Sequence, residues 1–157
     1  MTDKNIRQVR EFLEAQGIKA KILAFEETTR TSELAAKAIG CKVAQIAKSL
    51  VFITNEKAAV LVIASGKSRV DTRKLAEKLG TSEAKIADAK TVKEATGFSI
   101  GGVPPVAHNK PLTTFIDARL MSFPVVYAAA GTPNAVFGIA PEDLKNVTSA
   151  EVADVFE

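Results

Sequence analysis

Two apolar, β-branched stretches, "KSLVFIT" (residues 48–54) and "AAVLVIA" (residues 58–64), stand three residues apart across "NEK". Neither reaches the length of a helix of ordinary size, and both are too short to cross a membrane. Their composition and spacing predict an antiparallel hairpin at the centre of a sheet. Everything else in the chain must pack around that hairpin.

The flanking segments read as helices and further strands in paired order. Residues 3–16 place Ile6, Val9, Phe12 and Leu13 on one helical face, with Gly17 ending it. "IKAKILAF" (residues 18–25) alternates as a half-buried strand does. Thr31 or Ser32 is expected to cap a helix closed by Gly40, and Asp71 one closed by Gly80. "AKIA" (residues 84–87) suggests a short strand, and "TVKE" (residues 91–94) a capping box before Gly97. "LTTFID", "PVVYAAA" and "AVFGIA" are strand candidates, the last two joined by "GTPN" at residues 131–134, and "TSAE" (residues 148–151) suggests a closing capped helix. Strands thus come as neighbours rather than in βα alternation. The expectation is one α+β domain over residues 1–157, a mixed, mainly antiparallel sheet or open barrel with helices packed around it.

Charge and cysteine content narrow the classes. Lys+Arg exceed Asp+Glu by 21 − 18 = 3, a balance that permits a nucleic-acid partner without the strong basic excess of dedicated binders. One cysteine allows no internal disulfide, and the polar, helix-patterned N-terminus lacks the apolar core of a signal peptide. A cytoplasmic setting is expected, with no membrane partner.

Several segments carry candidate chemistry. Alternation puts Lys48 on the face of Leu50 and Phe52, with Ser49, Val51 and Ile53 opposite. A lysine on an apolar face snorkels to solvent, pairs with an acid or lines an anion-accepting pocket. "SGKSR" (residues 65–69) is either a solvated turn or a phosphate-contacting loop. "EETTRTSE" (residues 26–33) is a capping sequence or an anion site at a helix start. A dyad of Cys41 and the lone His108 is conceivable, although a cysteine just after a helix-ending glycine more commonly packs. No metal-ligand spacing and no phosphate-binding glycine fingerprint occur.

"IGGVPPVAH" (residues 100–108) gathers two glycines, two prolines and the only histidine. Gly101 and Gly102 let a ligand approach their backbone N–H groups, while Pro104 and Pro105 stiffen the far side. The loop is a tight connection or a rigid pair of donors for a carbonyl or oxyanion. Residue chemistry alone leaves both open.

In order and spacing, "TRTSELAAKAIGC", "QIAKSLVF", "DTRKLAEKLG", "ATGFSIGGVPPVAH" and "FIDARL" resemble the YbaK/ProX family, free-standing relatives of the editing domain of bacterial prolyl-tRNA synthetase. The resemblance spans almost the whole chain. It implies hydrolysis of the ester joining a mischarged amino acid to the tRNA 3′ end, with no metal, cofactor or protein nucleophile; the alternative is a module that keeps the pocket and binds an amino acid or aminoacyl-tRNA without cleaving it. Aminoacyl-tRNA is then the partner, with an aminoacyl-tRNA synthetase as a further candidate. On this resemblance the catalytic residues are Lys48, which holds the substrate's 3′ end, and Gly101 and Gly102, whose backbone positions carbonyl and water. Thr31, Ser49, Pro104, His108 and Ala129 would touch the substrate, and Arg30, Lys67 and Arg69 the nucleic acid. The cysteine-specific branch carries serine at Ala129, an acid at Val136 and threonine at Ser49, and the loop's usual second glycine is Ala107 here. These departures imply alanine, serine or threonine ahead of cysteine as the amino acid removed.

Overall fold

The computed structural model describes residues 2–157, with side chains from residue 4 onward. Along the chain run α1 (Thr2–Ala15), β1 (Lys21–Ala24), α2 (Ser32–Ile39), β2 (Ile46–Thr54), β3 (Ala59–Ser65), α3 (Thr72–Leu79) and β4 (Ala84–Ile86). Then come α4 (Ala89–Thr96), β5 (Thr113–Ile116), β6 (Val126–Ala129), β7 (Ala135–Ile139), α5 (Pro141–Thr148) and β8 (Glu151–Val152). Among the described residues no helix is long and apolar enough to cross a membrane.

The strands form one open sheet in the order β1-β7-β6-β2-β3-β5-β8, with β4 joined to β2 off this path. The expected hairpin is its centre, β2 pairing antiparallel with β3 from Ala47↔Ser65 to Ile53↔Ala59. "GTPN" turns β6 into antiparallel β7 as expected. Parallel contacts of β2 with β6, β3 with β5 and β5 with β8 make the sheet mixed. It does not close, since β1 and β8 lie at opposite ends.

The helices cover both faces. Val9 and Leu13 of α1 join Val51, Leu61, Ile63, Val126 and Phe137 in the principal core. Phe52, Val60, Val62 and Ala64 project the other way, against Leu75 and Ala76 of α3 and Phe115. The two clusters are the period-2 signature of a hairpin buried on both sides. Gly40 and Gly80 end α2 and α3 in the left-handed conformation, at φ 84° and 70°, where a Cβ would be strained.

Two expected caps lie elsewhere. α4 is capped by Asp88, whose carboxylate accepts the Thr91 N–H at 2.8 Å, so Thr91 falls inside the first turn rather than starting it. Thr148 ends a helix instead of opening one. α5 starts at Pro141, which needs no N–H at a helix's first position. The Thr148 hydroxyl donates back to the Leu144 carbonyl at 2.7 Å, and the chain then forms the short strand β8.

Candidate functional site

The site lies where β2 loses its neighbour. Along one edge β2 is paired with β3 throughout. On the other it meets β6 only at Ile46 and Ala47, and β4 only from Phe52 to Thr54. Residues 48–51 have no strand beside them there among the described residues, and a cavity of about 420 Å³ opens at the gap. Its floor is apolar and small, with Ala47, Val51, Ala87, Val92, Val103 and Ala128. Thr31, Glu33, Lys48, Ser49, Tyr127 and Ala129 also line it.

Lys48 is half-buried in this wall. Loss of hydration pulls its ammonium below the ordinary lysine value, since burial disfavours the charged form; Arg69 pulls the same way, while Glu33 and Asp117 oppose it. Glu33 sits in the first turn of α2, a turn fixed by the Thr31 hydroxyl accepting the Leu34 N–H at 3.1 Å. Lys48 is thus a partly dehydrated cation only partly offset by Glu33 and Asp117, suited to an anionic or strongly polar ligand group.

The loop 100–108 supplies the facing wall. Gly101 adopts φ 98°, and a Cβ there would stand 2.7 Å from the Arg30 Nε. Gly101 and Val103 line the cavity, and neither N–H has a protein acceptor among the described residues. Gly102 differs: its N–H bonds to the Ser99 carbonyl at 3.1 Å, and its Cα faces the Thr132 backbone, where a Cβ would meet the carbonyl carbon at 2.7 Å. Gly101 and Val103, rather than the two adjacent glycines, are therefore the loop residues at the cavity whose N–H groups have no protein acceptor among the described residues. Gly102 is a glycine for close packing.

The rest of the loop turns away from the cavity. The Pro104 carbonyl accepts from His108 Nε2 at 2.7 Å, and burial pulls the imidazole below its usual value, leaving it neutral at pH 7. Ala107 takes φ 66°, and its carbonyl accepts from Gln8 of α1 at 3.1 Å. Neither Pro104 nor His108 lines the cavity. Cys41 is also elsewhere, packed with Ala35, Ala36 and Ile46, and burial raises its thiol pKa.

A basic turn borders the site. Gly66 lines the cavity, and a Cβ on it would collide with the Val43 carbonyl oxygen. Beyond it Lys67 and Arg69 are exposed. The turn is held from below by buried Asp117, whose carboxylate accepts the Ser65 N–H at 3.0 Å and the Arg119 N–H at 2.9 Å. Arg119 in turn donates to the buried Ser68 hydroxyl at 3.3 Å. Of the residues expected from sequence, one cavity gathers Arg30, Thr31, Lys48, Ser49, Gly101 and Ala129; Gly102, Pro104, Lys67, Arg69 and His108 stand outside it. Sequence reasoning did not single out Val103, a buried apolar residue of the floor whose residue type carries no functional signal. It took Glu33 only as the end of the segment 26–33, read as a capping sequence or an anion site at a helix start.

A partly dehydrated lysine, two backbone N–H groups without protein acceptors among the described residues and small apolar side chains thus line one cavity. Residues 26–147, which contain every part of this site, match the aminoacyl-tRNA editing domain family. The chain belongs to that family. Members edit aminoacyl-tRNA, an ester hydrolysis, and the chain is placed among such hydrolases. A crystal structure of a candidate trans-editing enzyme for prolyl tRNA synthetase superposes with a TM-score of 0.90 at 43% identity, covering 98% of this chain and 97% of that one. The uncharacterized protein YwhH of Bacillus subtilis is 30% identical over 131 residues, 83% of each chain. A candidate Cys-tRNA(Pro)/Cys-tRNA(Cys) deacylase, EbsC of Enterococcus faecalis, is 24% identical over 132 residues, 84% of this chain and 80% of that one. The resemblance expected from "QIAKSLVF" and "ATGFSIGGVPPVAH" is the family found, and the open mixed sheet is the fold of these editing-domain neighbours.

Proposed function

We propose that the protein removes a small amino acid, alanine, serine or threonine ahead of cysteine, from a mischarged tRNA supplied in trans, and that it acts as one editing domain over residues 1–157. The observation that carries this reading is that one cavity is lined by Lys48, by Gly101 and Val103, whose N–H groups have no protein acceptor among the described residues, and by Ala47, Ala87 and Ala128. A water attacks the ester carbonyl, negative charge gathers on the carbonyl oxygen, and the two N–H groups stabilise it. The carbon–oxygen bond to the ribose then breaks, freeing the amino acid and restoring the 3′-hydroxyl. The only titratable side chains lining the cavity among the described residues are Arg30, Glu33, Lys48 and Tyr127. None is an imidazole or a thiol, and Glu33 is the one carboxylate; this reading takes the water to be activated by a substrate group such as the ribose 2′-hydroxyl, as the family resemblance implies. Lys48 holds the phosphate or sugar of the terminal nucleotide; Arg30, Lys67 and Arg69 follow the phosphate chain outward. Prolyl-tRNA synthetase is the synthetase partner this reading favours, because the 43%-identical structure is described as acting for that enzyme.

The test is a panel of charged tRNAs bearing alanine, serine, threonine, cysteine and proline, incubated with wild type and Lys48→Ala. At least one of the first three is expected to be deacylated fastest, and Lys48→Ala to be at least about 100-fold slower. Fastest loss of cysteine would overturn the substrate assignment, and full activity in Lys48→Ala the role of the lysine.

A further inference from the structure

We infer that the aminoacyl group binds as the missing strand residue opposite Ser49, hydrogen-bonded to that residue's main chain on the unpaired edge of β2. This rests on the deacylase reading for the identity of the ligand, and on the backbone for everything else.

The direction of the β2 backbone follows from its known bonds. The Ile46 carbonyl accepts from Gly66 and the Thr54 N–H donates to Ala58, both toward β3. In an antiparallel ladder these directions alternate residue by residue, so odd-numbered residues turn their N–H and C=O to the opposite edge. The Val51 carbonyl does so, accepting the Ala87 N–H at 2.9 Å. Ala47 lies in the β6 ladder and Ile53 in the β4 ladder. Ser49 is the odd residue between them, and its N–H and C=O point into the gap.

Ser49 carries a second unmet requirement. Its hydroxyl oxygen is buried with no hydrogen-bond partner, although buried hydroxyls are nearly always paired. The side chain lies on the face of Ala47 and Val51, over the apolar floor. One residue thus presents a donor, an acceptor and an unpaired hydroxyl to the same cavity.

An aminoacyl ester carries the matching set. Its α-amino group donates and its carbonyl accepts, spaced as in one residue of a strand, which is how an extended ligand adds to a sheet edge. Set antiparallel to β2, the α-amino group donates to the Ser49 carbonyl and the ester carbonyl accepts the Ser49 N–H. Directly opposed residues place their side chains on the same face. An L side chain therefore sits beside the Ser49 hydroxyl on the floor of Ala47, Val51, Ala87 and Ala128, and a D side chain is driven to the Lys48 face. The ester oxygen leaves toward the Ala47 end of β2, where Gly66 and the basic turn stand.

The experiment uses the wild-type chain and 3′-amino-3′-deoxyadenosine acylated with L-alanine, D-alanine or L-serine, whose amide links are not cleaved. Isotope-labelled protein reports binding at the Ser49 amide, and deacylation of the charged tRNAs is followed in parallel. The L-alanyl conjugate is expected to shift the Ser49 amide and to bind at least about tenfold more tightly than the D-alanyl one. Ser49→Ala should weaken the L-seryl conjugate about tenfold, the worth of one hydrogen bond, and leave the L-alanyl conjugate within about twofold. Equal binding of the L and D forms, or an unmoved Ser49 amide, overturns the inference even if tRNA is deacylated. L-selective binding at Ser49 without any deacylation upholds it and overturns the enzymatic reading instead. Neither binding nor deacylation overturns both.

Discussion

The two halves of the loop 100–108 are built from similar residues and do opposite things. In the first, Gly101 and Val103 line the cavity, and their N–H groups have no protein acceptor among the described residues. In the second, Pro104 and Pro105 are buried without N–H groups, His108 ties back to Pro104, and Gln8 of α1 holds the Ala107 carbonyl. One half is held still so that the other can be left unsatisfied. Open donors in a fixed place need no reorganisation when charge develops beside them, which is the condition for strong electrostatic stabilisation. The division runs even between adjacent glycines, since Gly101 borders the cavity while Gly102 is pressed on Thr132.

The strongest test of the division is Gly101→Val. At φ 98° a β-branched residue is strained, and its Cβ would displace the exposed Arg30 side chain. The N–H then leaves its position, and deacylation is expected to fall about 10²–10³-fold, the cost of losing one such donor. Single-turnover rates on the best charged tRNA decide it; a loss below threefold would remove Gly101 from the chemistry. Gly102→Ala should act differently. The atoms its Cβ meets are Thr132 backbone in the β6–β7 turn, which cannot swing aside, so an overpacking loss of about 1–3 kcal/mol in stability is expected. Chemical denaturation measures it, and rates per folded molecule should drop less than in Gly101→Val. A Gly102→Ala chain as stable as wild type would contradict the packing role.

How much of this was legible in the residues depends on whether the signal was local. The β2–β3 hairpin, the Thr31 cap and the glycine-ended helices α2 and α3 follow from patterns a few residues long. The caps at Thr91 and Thr148 were misjudged because a threonine followed by an acid at the third position fits a helix's start as well as its interior. Lys48 and Gly101 were legible as types: a charge on an apolar strand and a glycine in a stiff loop. The gap beside Ser49 was not, because it arises from where β6 stops and β4 begins, strands some eighty and thirty residues away in sequence. Val103 escaped for a different reason. The contribution proposed for it is an N–H that every residue except proline possesses.

The quiet half of the loop is tested by His108→Ala, with a smaller effect and a distinctive pH dependence. Burial lowers the imidazole pKa in the folded chain below the usual value of about 6.5. The unfolded chain therefore takes up the proton first, so the stability His108 contributes is full above pH 6.5 and is lost as the pH falls through and below that value. At pH 8 the substitution should cost about 1 kcal/mol, the worth of the bond to Pro104, and the gap to wild type should narrow toward pH 5. Denaturation midpoints across that range check the slope. A gap that widens in acid would mean the ring is charged when folded. Amino-acid preference should not change, because the ring lies outside the cavity.

Ala107 offers the finest distinction. At φ 66° it occupies the left-handed region in which an L residue other than glycine is disfavoured, at the position where the family usually has its second glycine. Glycine relieves that strain but loses more backbone entropy on folding, so Ala107→Gly should be more stable by only about 0.5–1 kcal/mol. The bond from Gln8 involves the main-chain carbonyl and survives the change. Deacylation should be unaltered, since the residue is absent from the cavity wall, and the comparison of the two halves then reduces to one measurement. A substitution here that changed the rate while leaving the denaturation midpoint fixed would show that the second half participates in the chemistry and does not merely hold the first in place.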